Sequence, residues 1–138
     1  MRGVGGSNPP VPTNPPVPLL RHPASAIKKE DVLEPVKAKA IKLEELLACQ
    51  KGAVVSREII SQKAGSITLF AFDKDQGLSE HTAPFDATVF CLEGEAEAVI
   101  AGKRLVLRKG DMVIMPAGKP HSLRAISPFK MLLIMIRA

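Results

Sequence analysis

The 138-residue sequence contains no tryptophan and no tyrosine, and its five phenylalanines are its only aromatic side chains apart from histidine. Proteins that bind single-stranded nucleic acids stack bases on aromatic side chains, so this composition disfavours that function. The 19 basic and 14 acidic residues give a net charge of +5, but they are interspersed rather than gathered in a basic block. Nucleic-acid-binding surfaces usually show such clustering. We therefore expect no nucleic-acid partner.

Cysteine is also scarce, because only Cys49 and Cys91 occur and they form no CxxC pair. A small domain held together by disulfides would carry more. The longest apolar run, residues 131–136, is far shorter than the roughly 18 residues of a membrane span. Prolines interrupt the N-terminal segment, so no signal-peptide apolar region forms. These absences predict a soluble cytoplasmic protein with no membrane partner.

Proline is abundant in one place only. Residues 1–26 hold seven of the twelve prolines, and the sequence PPVP occurs there twice. Proline fixes φ and removes a backbone donor, so we predict a disordered tail with extended polyproline stretches. The alternative is a docking ligand for a proline-recognition domain. Residues 27–51 are predicted to form an extended arm with period-two alternation over 38–43, followed by a short helix over 43–48.

Residues 52–138 show a regular series of short apolar segments separated by turns about every ten residues. No helical pattern alternates with them, so a parallel sheet is disfavoured. The series predicts an all-β antiparallel sandwich or barrel. The predicted strands are 53–60, 66–72, 87–92, 96–100, 104–107, 111–115, 121–126 and 131–137.

Within this series, Gly110, Pro116, Gly118 and His121 follow the spacing G-x5-P-x-G-x2-H. This segment resembles the second sequence motif of the cupin family at every fixed position. The first cupin motif, G-x5-H-x-H-x3–4-E-x6-G, is matched only in part. Counting back from Gly94 as its closing glycine places the two histidine positions at His81 and Ala83 and the glutamate position at Ala87. Gly77 precedes His81 by four positions, where the motif has six.

The resemblance covers about residues 60–137 and implies a double-stranded β-helix, or jelly-roll barrel, that commonly pairs into homodimers. In the full family the two motifs supply three histidines and one glutamate to a divalent metal. Here His81 and His121 remain, while Ala83 and Ala87 offer no ligand. Catalytic transition-metal centres typically use at least three protein ligands, so we expect either no cofactor or a weakly bound divalent ion.

His81 and His121 are therefore the candidate catalytic residues and, secondarily, the candidate metal ligands. Histidine titrates near neutrality, so either can act as general acid or base or bind an anionic ligand. A carboxylate of the ligand is expected to meet Arg57, if that side chain projects inward from an early strand.

Three further side chains are predicted to contribute to the pocket: Phe85, Cys91 and Met115. Cys91 has inward strand parity and would also be a possible thiolate. The remaining strand methionines are expected to fill the core, and Glu80 and Asp86 should face outward by parity.

The sequence thus predicts a cupin barrel that binds a small molecule in a two-histidine pocket with a reduced or absent metal site. Two alternatives stay open. One is a metal-dependent cupin enzyme, of dioxygenase or isomerase type, with substitute ligands. The other is a non-catalytic ligand-sensing or accessory protein.

Overall fold

The computed structural model of the chain describes residues 28–30 and 36–137, and these residues form ten strands and one 3₁₀ turn. The proline-rich segment 1–26 lies outside the described residues. The strands are β1 (Lys28–Glu30), β2 (Val54–Gln62), β3 (Gly65–Phe72), β4 (Gly77–His81), β5 (Ala87–Glu93), β6 (Ala96–Ile100), β7 (Lys103–Leu107), β8 (Met112–Met115), β9 (His121–Ala125) and β10 (Phe129–Ile136). Residues 36–137 contain no helix long and apolar enough to cross a membrane.

The strands form two sheets that face each other. The larger sheet has the order β1-β2-β3-β10-β5-β8 and the smaller has the order β4-β9-β6-β7. All neighbouring strands run antiparallel except β1 and β2, which pair in parallel. From β3 to β6, and again from β7 to β10, consecutive strands alternate between the two sheets. A jelly-roll barrel requires such alternation. The all-β antiparallel prediction is confirmed.

The main core lies between the two sheets and follows from period-two alternation along each strand. On β5, Ala87, Val89 and Cys91 are buried and face inward, whereas Phe90 between them faces out. At one end of the barrel, the ring of Phe72 lies 5.5 Å from that of Phe129, centroid to centroid. Phe70, Phe72 and Phe129 thus supply the aromatic part of the core between the sheets.

A second apolar cluster lies on the outer face of the larger sheet, where Leu47 packs against Val55, Leu69 and Ala71. Leu47 is fully buried, although it precedes the first long strand. The arm before β2 is therefore fixed to the barrel by apolar burial, which is the dominant favourable term in such packing.

The arm differs in detail from its sequence-based prediction. No strand forms over residues 38–43, because Ala38 adopts φ +62° and interrupts the extended backbone. The predicted helix over 43–48 is reduced to one 3₁₀ turn, Leu43–Glu45. A helix this short has a costly nucleus and few hydrogen bonds, so packing of the neighbouring Leu47 decides the local conformation.

The structure also adds a strand that the sequence pattern did not indicate. Strand β4, Gly77–His81, contains no β-branched residue and only one aliphatic side chain, Leu78. It forms because β9 supplies its hydrogen-bonding partners. This strand carries His81.

Gly94 connects β5 to β6 with φ +77°, a left-handed conformation that glycine adopts without strain. A Cβ at this position would overlap the backbone carbonyl oxygen of Pro128. We predict that Gly94→Ala lowers the free energy of unfolding by about 2 kcal/mol or more, since left-handed strain and the overlap add. Urea unfolding measures this loss.

Gly102 provides the matched control, because its φ is +83° and no atom lies within 4 Å of a Cβ placed there. Gly102→Ala should show the strain alone, about 1 kcal/mol. Equal losses in the two variants would show that the contact with Pro128 is unimportant.

Candidate functional site

His81 and His121 face each other across two neighbouring strands. His81 ends β4, His121 begins β9, and the two are direct antiparallel partners. Their ring centroids are 4.5 Å apart and the ring planes cross at 73°. His121 is buried, at 3% exposure, whereas His81 is exposed. The pair therefore spans the boundary between the barrel interior and solvent.

A β-bulge aims His81 into the barrel. His81 is paired with His121, but Leu123 is paired with Leu78, so β4 has one more residue than β9 in this interval. Side chains three positions apart on a regular strand face opposite sides. The extra residue restores His81 to the face of Leu78, and both side chains line the same cavity. Bulges commonly re-aim a side chain in this way next to functional sites.

The turn that precedes His121 is fixed to the loop that follows His81. The backbone N–H of Ala117 donates to a carboxylate oxygen of Asp86 (2.8 Å). The N–H of Gly118 donates to the carbonyl oxygen of Ala83 (2.8 Å). Asp86 is therefore used to hold this turn and does not line the cavity, in agreement with its predicted outward parity.

Both imidazoles have the same hydrogen-bonding pattern. Nδ1 of His81 lies 2.7 Å from the carbonyl oxygen of Ser79, and Nδ1 of His121 lies 3.0 Å from that of Lys119. A carbonyl oxygen only accepts, so in each ring Nδ1 carries the proton as donor. The neutral ring then presents an unprotonated Nε2 as an acceptor. Two such acceptors side by side can bind a group that donates hydrogen bonds or accepts a lone pair.

The pair borders a small cavity of about 40 Å³ with a mostly apolar wall. A single buried water needs roughly 10–15 Å³, so the cavity has room for an ion or the terminal group of a ligand. The residues that line it are Leu78, His81, Ala83, Ala87, Met115, His121, Ser122, Leu123, Met131, Leu133 and Met135.

The structure brings together His81, His121 and Met115 from the predicted site residues, with Ala83 and Ala87 beside them. Phe85 is half-buried in the loop between β4 and β5 and is not part of the cavity lining.

Arg57 does not project into the barrel as predicted. Two positions along β2, Val55 belongs to the outer apolar cluster, and Arg57 shares its side of the sheet. The Nη1 atom of Arg57 donates to the carbonyl oxygen of Leu46 (2.6 Å), so this side chain binds the arm to the outer face of the sheet. The apolar residues on both faces of β2 hid this parity in the sequence.

Cys91 faces inward as its parity predicted, but it lies outside the cavity. It is four residues from Ala87 on β5, about 13 Å at the usual rise of a strand. Burial, followed by the charge of Asp111, raises the pKa of its thiol to about 11. The thiol lies near the carbonyl oxygens of Glu93 and Gly94. Cys91 is therefore a neutral core residue, remote from the histidines.

Sequence reasoning missed the methionines of β10 as part of the cavity. Met131 and Met135 alternate with Leu132 and Ile134, which face the outer side. Every residue from 131 to 136 is apolar, so alternation alone could not assign the faces. Conversely, Met112 was expected in the core and is 59% exposed on β8.

The surroundings of His121 shift the pKa of its imidazole. Burial lowers its pKa below the ordinary value of 6.5, and the neighbouring His81 lowers it further. His121 is therefore neutral near pH 7, as an acceptor at Nε2 requires.

The comparisons with known proteins agree with this architecture. The sequence profile of the cupin domain matches residues 68–136, which are 69 of the 138 residues and include both histidines. The chain belongs to the cupin family. The predicted resemblance is thereby confirmed.

The similar proteins are themselves described in general terms. An uncharacterized protein of Aquifex aeolicus is 32% identical over 93 residues, which are 66% of this chain and 77% of the relative. A crystal structure of a conserved protein of unknown function from Streptococcus pyogenes has 31% identity and a TM-score of 0.72, covering 79% of this chain and 96% of that one. A cupin superfamily protein from Desulfitobacterium hafniense has 25% identity and a TM-score of 0.70, covering 74% and 94%.

The pocket of this cupin does not fit the metal ligand set that its family implies. Within residues 36–137, no group of three or more His, Cys, Asp and Glu side chains is placed to hold a metal ion. Alanines stand at the positions of one histidine and of the glutamate, and Asp86 is bonded to Ala117. Two imidazoles fall short of the three protein ligands that catalytic zinc centres use.

The shifted pKa of His121 predicts a pH-dependent stability. As the pH falls through about 6.5, the unfolded chain binds a proton that the folded cupin resists. The free energy of unfolding should therefore decrease from pH 7 to pH 5, by at most about 1.4 kcal/mol per pH unit from this residue. Urea unfolding of the unmodified protein and of His121→Asn across this pH range isolates the contribution of His121 to the free energy of unfolding. Identical slopes for the two proteins would contradict it.

Proposed function

We propose that this cupin is a small-molecule-binding protein whose ligand reaches the Nε2 atoms of His81 and His121. The observation that supports the proposal most strongly is the pair of carbonyl-fixed imidazoles, 4.5 Å apart, at the edge of an apolar cavity. An unprotonated imidazole nitrogen accepts hydrogen bonds, so this arrangement favours a ligand that supplies hydroxyl or amine protons.

The size of the cavity constrains how a ligand binds. About 40 Å³ admits one terminal group, so the remainder of a larger molecule would lie towards exposed His81. His121 would hold the inserted group, since it is the buried member of the pair. In its neutral form His121 could also accept a proton from that group, which is the role of a general base. Binding is the primary proposal, and catalysis would be an extension of it.

A panel of glycerol, lactate, malate and glucose, titrated into chelator-treated protein, tests this proposal. NMR spectra of the histidine side-chain nitrogens report directly on Nε2. We expect at least one compound to shift the Nε2 signals of both histidines with saturation. His121→Asn should then weaken its binding tenfold or more, which corresponds to about 1.4 kcal/mol.

Glu80→Gln is the matched control, because Glu80 precedes His81 on β4 but is exposed and does not line the cavity. Its affinity should equal that of the unmodified protein. A compound that binds equally well to His121→Asn, or a panel without effect on either histidine, would contradict the proposal.

We also propose that the protein is a cytoplasmic homodimer that pairs through the outer face of the larger sheet. Phe90, Met112 and Ile114 are exposed on this face at 36%, 59% and 51%, and β8, which carries the last two, is an edge strand. Phe90 and Met112 are direct partners across β5 and β8. Adjacent exposed apolar side chains of this kind mark association surfaces.

Met112→Glu should convert the dimer to a monomer, because pairing would bury an unpaired carboxylate. Sedimentation velocity measures the change. Val106→Glu is the control, since Val106 is 41% exposed on β7 in the other sheet. A monomeric unmodified protein, or a dimer that survives Met112→Glu, would refute this interface.

A further inference from the structure

The polar part of the cavity wall offers two hydrogen-bond acceptors next to each other. In both His81 and His121, Nδ1 donates to a backbone carbonyl oxygen, so each ring in its neutral form presents Nε2 as an acceptor. The ring centroids are 4.5 Å apart, so one small molecule can contact both rings. Two neighbouring acceptors are complementary to a molecule that carries two neighbouring donors.

The wall also contains no charged partner for an ionic ligand. Within residues 36–137, no Asp, Glu, Lys or Arg side chain lines the cavity. Asp86 and Lys119 lie in the loops that flank the histidine pair, but both are exposed and neither belongs to the lining. Burial of an unpaired charge is costly, so the cavity disfavours a carboxylate and an ammonium group alike. The donors that it favours are therefore hydroxyl groups of a neutral molecule.

The lining other than the two histidines and Ser122 is apolar. Ala87, Met115, Leu123 and Met131 are buried and border the cavity. A single water needs roughly 10–15 Å³, so the volume of about 40 Å³ accommodates a methyl or ethyl group. Burial of such a group against these side chains is favourable because it removes apolar surface from water. The inserted end of the ligand is thus expected to be apolar.

We propose that the pocket selects a neutral vicinal diol with a small apolar end, one hydroxyl donating to Nε2 of His121 and the adjacent hydroxyl donating to Nε2 of His81. The apolar end lies against the buried aliphatic and thioether wall. The outer hydroxyl lies at His81, which is exposed, so a longer molecule continues from there towards solvent. This inference rests on the proposed function and names the class of molecule that it binds.

Propane-1,2-diol and lactate are a matched pair of probes, because they share a carbon skeleton and differ only in a hydroxymethyl group against a carboxylate. Each is titrated into the chelator-treated full chain at neutral pH and followed by NMR of the histidine side-chain nitrogens. The diol should bind at least tenfold more tightly than lactate of the same configuration, because only the carboxylate must be desolvated without a counter-charge. Equal or tighter binding of lactate would overturn the inference and leave the proposed function standing.

Propan-1-ol and propan-2-ol test the contact with both histidines, since each keeps the carbon skeleton and only one hydroxyl. Both should bind at least threefold more weakly than propane-1,2-diol. Glycerol, which replaces the methyl group by a hydroxymethyl group, should also bind more weakly than propane-1,2-diol, because its third hydroxyl would meet the apolar wall. Tighter binding of glycerol or of either propanol would contradict the proposed orientation.

His81→Ala removes one of the two acceptors. His81 is exposed, so the barrel should remain folded. In this variant propane-1,2-diol should lose its advantage over the two propanols, a result that general damage to the pocket would not produce. Glu80→Gln is the control, because Glu80 is exposed and does not line the cavity, and it should leave the advantage unchanged.

The remaining outcomes separate this inference from the proposed function. An advantage of the diol that survives His81→Ala would overturn the two-histidine contact. If propane-1,2-diol does not bind while a compound of the earlier panel shifts the Nε2 signals of both histidines, the inference alone is wrong. If none of the compounds shifts either signal, both proposals are wrong.

Discussion

The antiparallel pairing of β4 with β9 is the constraint on which the site depends. It joins segments about 40 residues apart in sequence and places His81 opposite His121. Strand β4 has only one aliphatic side chain, so its formation depends mainly on hydrogen bonding to β9. The bulge within the pairing turns His81 inward, and the loops on either side are fixed by Asp86 and Ala83. The position of His81 thus depends on contacts with β9, and the position of His121 depends on contacts with β4.

This dependence explains how much of the protein could be predicted. The complete second motif and the regular spacing of turns were sufficient to predict the barrel, because strand alternation and turn chemistry are local properties of the sequence. The resemblance to the family also predicted that His81 and His121 line one pocket, whereas the direct pairing of their strands was not part of that prediction. The inward direction of His81 could not be derived from alternation, since the extra residue in β4 becomes apparent only when β9 is placed beside it.

Residues outside the motifs were harder to place for a different reason. Strands β2 and β10 carry apolar side chains on both faces, because one face packs in the barrel and the other meets the arm or the outer cluster. Period-two patterning then contains no contrast that distinguishes the faces. Arg57 was placed on the wrong side for this reason, and Met135 was not recognised as part of the cavity. The arm itself is held by Leu47, a contact that no local pattern indicates.

The two alanines change the chemistry of the pocket more than its shape. With a carboxylate at position 87, the cavity would hold a fixed negative charge and would favour a divalent ion. With alanine, the wall is neutral and the imidazoles are its main polar groups. The buried His121 and the exposed His81 then differ in hydration but share a tautomer. In the binding mode proposed above, an occupant donates to the two neighbouring Nε2 atoms from the open side, with its inner end against His121, because exposed His81 borders the solvent side of the cavity.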